Sequence, residues 1–440
     1  MQLYDIEFLF CYLPLIIGIY SMGAGRWRSF VLAAASLLYY AFSCGGAYWQ
    51  VAVLVLLCVV TYYLGRLLGG KGRTLLFVLG AGVLIAGLGF LKLYEGGKWM
   101  LPGFSFILLQ MTAYLTDVYR NKIEPEKGLI RYSAGILMFP KLLSGPLVTP
   151  SVLYGQKQGN ASKASFRRGL HELIWGLAFK VILADRFGAL WSQGKVIGYD
   201  GISTPFAWML IAAFSLQLYF DFYGYSLMAV GLGRMLGIRL PQNFNSPYAS
   251  RSVSEFYRRW HITLGAWFRD YIYIPLGGSR KGTLRTVLNL CVVWLATGFW
   301  HGTSIGYFLW AGALCILIVN EKLWLGRILK KSRIFSHIYL VLVIMLSWVP
   351  FAVQDPMQMQ QFFKCLFGLS VRGWNDIFTW GEGYLPLFAV GAFMALPASQ
   401  KLWRKLQGHW FADLFLFVLF WSVVYNLATA QQNPFLYFQF

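Results

Sequence analysis

The chain is 440 residues long, with 58% hydrophobic and 12% charged residues, about half the charged fraction of a soluble domain. This composition excludes an ordinary soluble protein and indicates a polytopic helical membrane protein. The formal net charge of +21 would favour nucleic-acid binding in a soluble protein. In a membrane protein it is typical of basic cytoplasmic loops that set topology and face anionic lipids. Since the sequence has no helix-turn-helix or base-stacking motif, we expect the lipid bilayer, and not nucleic acid, as the partner of this charge.

Apolar runs long enough to cross a bilayer, which takes roughly 17–25 residues, recur along the chain. They lie near residues 6–22, 29–45, 47–65, 74–93, 103–119, 169–191, 203–233, 284–301, 303–320, 336–352, 384–400 and 411–429. The first has Asp5 and Glu7 at its start and no basic residue before it, so it predicts a membrane span and not a cleaved signal peptide. The six cysteines show no C-x-x-C spacing, which favours neither a disulfide framework nor a zinc site.

Lysine and arginine residues concentrate in alternate loops. Basic clusters follow the first, third and fifth predicted spans, follow the span that ends near residue 320, and precede the last span. Because such loops stay in the cytoplasm, we expect the N-terminus to lie outside. The loops near 193–202 and 353–383, which carry few and balanced charges, should also lie outside.

Residues 129–150 interrupt this alternation, because the loops on both sides of them are basic. The segment contains Pro140, Lys141, Gly145 and Pro146, which disfavour a straight lipid-facing helix. A broken, re-entrant helix buried in protein fits better, since non-helical backbone at membrane depth is tolerated only there or beside a watery cavity. We expect Pro140, Gly145 and Pro146 to form the break, with Lys141 facing a polar cavity or neutralised by a partner. The alternative is a short amphipathic surface helix.

The stretch from residue 243 to residue 302 is rich in polar residues and contains two histidines, each directly after a tryptophan. His301 follows Trp300 at the end of an apolar span and is flanked by Gly298 and Gly302, which would let another backbone or a ligand approach closely. A neutral imidazole can accept a proton from a hydroxyl and return it, so His301 is a candidate general acid–base. The alternative is a histidine that caps a helix or hydrogen-bonds a neighbouring span.

The second histidine, His261, lies in a stretch with a helical apolar stripe. Phe256, Trp260, Leu264 and Phe268 recur at every fourth position, so residues 250–283 predict one amphipathic helix in or near the cytoplasmic interface. The alternative is an interfacial anchor in which the histidine is incidental. The residues nearby that could support the site are Asn243, Glu255, Arg258, Arg259, Trp260, Arg269, Asp270 and Trp300.

Asp221 lies inside the predicted span 203–233. A carboxylate at that depth needs a partner or a wet cavity. We expect Asp221 to support the site structurally by pairing with a cation of residues 251–285, and not to act in catalysis. The sequence contains no H-E-x-x-H motif, carboxylate cluster or phosphate-binding glycine loop, which gives no support to metal catalysis or ATP hydrolysis.

Several of these stretches resemble the membrane-bound O-acyltransferase family, in particular its bacterial branch of alginate O-acetylation proteins. The resemblance covers the chain from about residue 102 to its end. The matching stretches are 102–120, F-P-K-L-L-S-G-P (139–146), 218–237, 241–282, G-F-W-H-G (298–302) and N-P-F-L-Y-F-Q-F (433–440). The 241–282 stretch and the W-H-G motif together are the most specific of these.

The resemblance implies an all-α polytopic fold in which a ring of about 11–13 membrane helices, with re-entrant segments, surrounds a central tunnel. It implies one integral membrane domain over 1–440, with N-terminal helices at 1–101, a family core at 102–440 and a catalytic segment at 241–302. It assigns the catalytic role to His301 and a second site position to His261. It also implies no bound cofactor and the inner membrane of a bacterium. The donor that it implies is a negatively charged cytoplasmic thioester such as acetyl-CoA, which would approach the basic residues of 251–285 and could be bound by the supporting residues named above.

The function that we expect is transfer of an acyl group, with acetyl favoured, from acetyl-CoA across the membrane to hydroxyls of an exported polysaccharide. The resemblance also implies an extracytoplasmic partner with an SGNH/serine-hydrolase-like site, because the sequence shows no such site of its own. One alternative is D-alanyl or other acyl transfer to a cell-wall polymer. Others are a non-enzymatic transporter or flippase, and a structural scaffold, which would leave both histidines unexplained.

Overall fold

The computed structural model describes residues 1–70, 72–94, 101–156, 161–369, 373 and 375–429. Over these residues the chain forms helices joined by turns and loops, and no β-strand occurs in this described part. The predicted all-α polytopic fold is therefore confirmed. The stretch 433–440, which forms part of the family resemblance, lies outside the described residues.

Seven helices of the described ranges are long and apolar enough to cross a membrane. They are Trp49–Leu67, Arg73–Leu93, Thr204–Met235, Gly282–His301, Ile305–Leu329, Arg333–Ala352 and Trp410–Thr429. An eighth crossing results if Ile377–Ala395 and Pro397–Leu406, which are bent by 77° at the break between them, act as one broken span. The predicted spans near 6–22, 29–45, 103–119 and 169–191 also form helices, but these are shorter or more polar.

The chain packs as two compact units, of which the first contains Met1–Leu177 and Tyr225–Gln242. Its helices are Leu13–Ser21 after a π-helical turn at Phe8–Tyr12, Arg26–Ser43, Trp49–Leu67, Arg73–Leu93, Phe104–Tyr119, Leu129–Ile136, Phe139–Leu142, Pro150–Gly155, Lys163–Ala178 and the second part of Thr204–Met235. Phe104–Tyr119 is buried along almost its whole length. Helices Lys163–Ala178 and Thr204–Met235 pack with their backbones in contact. A Cβ on Gly169 would lie only 2.6 Å from the carbonyl oxygen of Gly231, so glycine is needed at this crossing.

Residues 129–150 form a broken segment inside this first unit. Helix Leu129–Ile136 ends, a single helical turn follows at Phe139–Leu142, and the chain is then irregular up to Pro150. The irregular part is buried, and the ammonium of Lys141 donates to Gln110 Oε1 at 2.6 Å and to the carbonyl oxygen of Ile136 at 2.9 Å. The predicted broken and buried backbone is confirmed, with a neutral polar partner for Lys141.

One detail of that prediction is wrong. Pro140 was expected in the break together with Gly145 and Pro146, but it occupies the first turn of the short helix Phe139–Leu142. Proline fits there because the first residues of a helix have no intrahelical acceptor for their N–H groups. Gly145 and Pro146 do lie in the irregular stretch that follows.

The second unit contains Ala178–Gly224 and Asn243–Phe440. Its helices are Asp185–Ile197 after a π-helical turn at Phe179–Ala184, the first part of Thr204–Met235, Val253–Arg259, Ile262–Phe268, Gly282–His301, Ile305–Asn320, Gly326–Leu329, Arg333–Ala352, Pro356–Leu366, Leu385–Ala395, Pro397–Leu406 and Trp410–Thr429. Further π-helical turns lie at Arg269–Tyr273, Glu321–Leu325 and Ile377–Gly381, and 3-10 turns at Pro247–Ala249 and Glu382–Tyr384. Both candidate histidines belong to this unit.

The predicted single amphipathic helix over 250–283 is wrong. The segment forms two seven-residue helices, Val253–Arg259 and Ile262–Phe268, and a π-helical turn at Arg269–Tyr273. The break falls at His261, whose φ of 44° lies in the left-handed region that a right-handed helix cannot include. The apolar residues at four-residue spacing are nevertheless all buried: Phe256, Trp260, Leu264 and Phe268. Both short helices therefore turn this apolar stripe towards the core.

Candidate active site

His301 is the last residue of its helix and is buried, with 5% of its surface exposed. The glycines around it allow close packing against Ile305–Asn320. A Cβ on Gly298 would lie 3.2 Å from the carbonyl oxygen of Tyr307, and one on Gly302 would lie 2.4 Å from a ring carbon of the same tyrosine. As predicted, the glycines beside His301 let another helix approach.

Four aromatic side chains surround the imidazole of His301. The ring centroids of Trp300, Trp310 and Phe351 lie 4.7, 5.0 and 5.1 Å from the imidazole centroid, in nearly perpendicular arrangements. The ring of Tyr307 lies 6.2 Å away. Edge-to-face contacts of this kind are favourable and directional. The rings therefore fix the orientation of the imidazole and exclude bulk water from around it.

His261 stands at the junction of the two short helices and is buried. Its Nδ1 lies 3.3 Å from Oδ1 of Asn243, and the same oxygen accepts hydrogen bonds from the backbone N–H and the hydroxyl of Thr263 at 3.1 and 2.6 Å. Because Asn243 Oδ1 is an acceptor, Nδ1 of His261 carries the proton, and the lone pair of the neutral ring is on Nε2. Phe222 packs edge-on to this imidazole at 4.6 Å.

Burial lowers the pKa of His261 from its ordinary value of 6.5 to about 3, so the ring is neutral near pH 7. Below about pH 6.5 an unfolded histidine binds a proton that folded His261 does not. The stability contributed by neutral His261 is therefore present above pH 6.5 and is lost as the pH falls towards 3, by about 1.4 kcal/mol per pH unit.

We predict that His261→Asn flattens this acid dependence of stability. The measurement is the midpoint of denaturant unfolding of the purified protein at about pH 7 and about pH 5.5, compared between wild type, His261→Asn and His409→Asn. His409 is exposed and should leave the dependence as in wild type. If the dependence of the midpoint on pH is the same in His261→Asn as in wild type, the lowered pKa of His261 is not its cause.

Both histidines line one cavity of about 250 Å³ within the second unit. The ring of Trp300 lies 6.2 Å from His261 and 4.7 Å from His301, so it contacts both. The other lining residues are mostly aromatic or aliphatic: Leu218, Tyr257, Trp260, Leu264, Gly265, Phe268, Arg269, Tyr273, Leu290, Val293, Trp294, Thr297, Trp310, Trp348 and Phe351. A concave apolar site with a few polar groups is the usual form of a small-molecule site.

The charged residues predicted around the site are mostly paired with one another. Arg269 lines the cavity and forms a two-pronged ion pair with Asp270, at 2.7 and 3.2 Å. Arg259 pairs with Glu255 at 2.7 Å, one helical turn away, and Arg258 is exposed. Of the arginines in this predicted cluster, Arg269 is the one whose side chain lines the cavity.

Asp221 has a different partner from the one predicted. Its Oδ1 lies 3.0 Å from Nζ of Lys180, which also lies 2.7 Å from Oδ1 of Asp185. The expectation of a cation from residues 251–285 is wrong. The basic residues of that segment are more exposed than Asp221, and two of them, Arg259 and Arg269, pair with carboxylates of their own segment. Asp221 and Lys180 are each 2% exposed, and a buried charge needs an opposite charge at the same depth.

Several residues of the site and its support were not predicted from the sequence. Lys180 interrupts an apolar run, and an ionisable residue in such a run is a signal that could have been used. Glu321 opens a stretch rich in lysine and arginine, so it has the pattern of an ordinary loop residue. Trp310, Trp348 and Phe351 give no signal in a chain with 18 tryptophans and 36 phenylalanines.

A sequence model described as the membrane-bound O-acyltransferase family matches residues 129–348. The matched range includes both histidines and extends to Trp348 in the cavity wall. The match therefore covers half of the chain and includes the candidate site.

Three curated relatives are similar over most of the chain. A probable alginate O-acetylase of Pseudomonas putida is 31% identical over 98% of this chain and 99% of its own length. A peptidoglycan O-acetyltransferase of Helicobacter pylori is 31% identical, covering 77% of this chain and 73% of the relative. A teichoic acid D-alanyltransferase of Lacticaseibacillus rhamnosus is 28% identical, covering 76% and 89%. All three names describe transfer of an acyl group.

Proposed function

Because the chain belongs to the membrane-bound O-acyltransferase family and is a multi-pass membrane acyltransferase, we propose that it transfers acetyl from acetyl-CoA to hydroxyls of an exported polysaccharide. The observation that carries this proposal is the position of two buried histidines on one cavity of about 250 Å³. A scaffold would have no need for an oriented imidazole beside such a cavity, and the acetyl-transferring relatives favour an enzyme over a transporter.

In the proposed reaction, His301 is the general acid–base. Its imidazole takes the proton of the acceptor hydroxyl while that oxygen attacks the thioester carbonyl carbon. The carbon–sulfur bond then breaks, and the leaving thiolate receives the proton from His301, so that atoms and charges balance. His261, held in its neutral form by burial and by Asn243, positions the donor in the cavity.

Charge at one part of the cavity wall supports a donor that carries phosphates. Arg269 lines the cavity with its side chain exposed. The loop that follows adds the exposed residues Arg280 and Lys281, and the first turn of helix Gly282–His301 adds the exposed Arg285. Guanidinium groups bind phosphate through paired hydrogen bonds. We propose that the anionic part of acetyl-CoA binds here, on the side that we expect to be cytoplasmic because its loops are basic.

A second cavity in the same unit supports an acceptor rich in hydroxyls. It has a volume of about 660 Å³, and its polar lining includes Lys195, Asp200, Gln354, Gln358 and Gln361. Phe351, which contacts His301, lies just before the residues that line it. We propose that the polysaccharide, or an SGNH/serine-hydrolase-like partner that carries the acetyl group onward, binds on this side.

Transfer of D-alanine is the second candidate, supported by the D-alanyltransferase relative. Acetyl is favoured because an O-acetylase relative aligns with 98% of this chain, whereas the D-alanyltransferase covers 76% of it at lower identity. The names of the acetylating relatives include both alginate and peptidoglycan, which supports a glycan as the acceptor.

We predict that inverted membrane vesicles containing this protein transfer label from radioactive acetyl-CoA to a base-labile ester on glycan inside the vesicles. The measurement is the ester-bound label per folded protein, compared with vesicles that contain His301→Gln and with vesicles given a D-alanyl thioester. Transfer of D-alanine and not of acetyl would replace the proposed donor. Equal transfer by His301→Gln would remove the proposed mechanism.

We also propose that the protein lies in the inner membrane of a bacterium, with its N-terminus outside and residues 251–285 facing the cytoplasm. In a background without the native cysteines, Ser279→Cys should react with an impermeant maleimide only after the membrane is opened. Gly373→Cys should react in intact spheroplasts. Both positions are exposed, so burial would not mask either label. The reverse pattern would invert the proposed orientation and the side of the donor.

A further inference from the structure

The carboxylate of Glu321 holds the start of the short helix that leads to His261. Oε1 accepts a hydrogen bond from the backbone N–H of Val253 at 2.6 Å. Oε2 accepts from the backbone N–H and the hydroxyl of Ser254 at 2.8 and 2.6 Å. Glu321 is buried and lies 68 residues from Val253 in the chain, so this is a tertiary cap and not a local turn.

The same carboxylate also binds a helix that contributes to the surroundings of His301. Oε1 accepts a hydrogen bond from the hydroxyl of Tyr339 at 3.2 Å, and the helix of Tyr339 carries Trp348 and Phe351. Glu321 itself directly continues the helix that carries Tyr307 and Trp310. One side chain therefore connects the His261 segment with both helices whose rings pack around His301.

The helix Val253–Arg259 needs such support because it has only seven residues. Helices of this length are not stable alone, and their first N–H groups have no partner within the helix. A carboxylate at this end satisfies two of those groups and interacts favourably with the helix dipole. Ser252, the N-cap residue, accepts from one further N–H group, that of Glu255, so Glu321 and Ser252 together satisfy the first three N–H groups of the helix.

We propose that Glu321 is a positioning residue for acyl transfer: it sets the place of the Val253–Arg259 helix, and through it of Tyr257 and His261, against the rings around His301. This inference rests on the proposed function in that it takes the cavity of the two histidines as the site of reaction. Glu321 does not line that cavity, so it acts through the residues that it holds.

The test compares Glu321→Gln, which keeps the size of the side chain, with Glu321→Asp, which keeps its charge. A glutamine has one acceptor oxygen and turns an NH₂ group towards N–H donors, so it cannot replace both cap bonds. We expect Glu321→Gln to lower kcat per folded protein by about 10-fold or more, with a smaller change in KM for acetyl-CoA, and Glu321→Asp to recover part of the rate. Glu382→Gln, at an exposed carboxylate, is the matched control and should behave as wild type.

Two further readouts separate positioning from a general folding role. Amide hydrogen exchange of the peptide covering 253–261 should become faster in Glu321→Gln, while exchange of Leu385–Ala395 stays unchanged. The losses of rate in Glu321→Gln and His261→Asn should combine to less than their product, because one acts through the other. Unchanged kcat per folded protein, unchanged exchange at 253–261, or fully multiplicative losses would each overturn the proposal.

The exchange measurement does not depend on catalysis, so the two proposals fail separately. If His301→Ala transfers acetyl as wild type does, the proposed function is wrong. Faster exchange at 253–261 in Glu321→Gln would still show that Glu321 stabilises the helix Val253–Arg259. If His301→Ala is inactive and Glu321→Gln exchanges as wild type does, the positioning role falls and the proposed function stands.

Discussion

Replacing His301 with alanine is expected to lower acyl transfer by about 10²–10⁴-fold, which is the usual loss when a general acid–base is removed. The amount of folded protein in the membrane should stay close to that of wild type. The side chain lies at the end of its helix and beside a cavity that already exists, so its removal enlarges that cavity and leaves the helix intact. The measurement is the acyl ester content of the exported glycan divided by the amount of folded protein.

His301→Gln separates the two explanations for such a loss. Glutamine keeps much of the size and polarity of the imidazole but cannot accept and return a proton, so the loss should be as large as with alanine. His409→Ala, at an exposed histidine, should have no effect. If activity instead follows the amount of folded protein in each variant, His301 has a packing role only.

Replacing Lys180 with methionine is expected to destabilise the protein by about 3–5 kcal/mol, the usual effect of removing one partner of a buried ion pair. The ammonium lies within 3.0 Å of Asp221 and 2.7 Å of Asp185. Methionine has a similar length and no charge, so it leaves two carboxylates close together in the interior. The measurement is the unfolding midpoint of the purified protein, with Lys401→Met at an exposed lysine as the control.

The double variant Lys180→Met with Asp221→Asn makes this prediction specific. Asp221 is the more deeply buried carboxylate of the two, so neutralising it should restore a large part of the lost stability. If Lys180→Met unfolds at the midpoint of wild type, the ion pairs contribute nothing measurable. If the double variant is less stable than Lys180→Met, Asp221 is held by other groups and not mainly by the lysine.

The sequence predicted the fold class and indicated the two histidines as candidate site residues, because the physical signals for both are local. Apolar runs of membrane length need no tertiary information, and the glycines beside His301 already indicated close packing around it. The buried irregular backbone near Pro146 was also predictable, since proline and glycine limit the local conformation in any context.

Features that depend on partners distant in the chain were not predictable. The stripe of Phe256, Trp260, Leu264 and Phe268 has the period of one helix, and the break at His261 appears only when Asn243 is placed beside it. In the same way, no pattern in the sequence connects Asp221 with Lys180. The pairing depends on which helices become neighbours, and that is decided by packing over the whole unit.

The left-handed backbone of His261 limits which amino acids could ever occupy that position. With φ at 44°, a β-branched side chain would be strained, whereas asparagine, aspartate and histidine adopt this conformation several times more often than other residues. The neighbouring oxygen of Asn243 then requires a hydrogen-bond donor, which an ionised aspartate lacks. Backbone shape and hydrogen bonding together leave histidine and asparagine as the side chains that satisfy both, so the conformation of one residue narrows the chemistry open to the whole site.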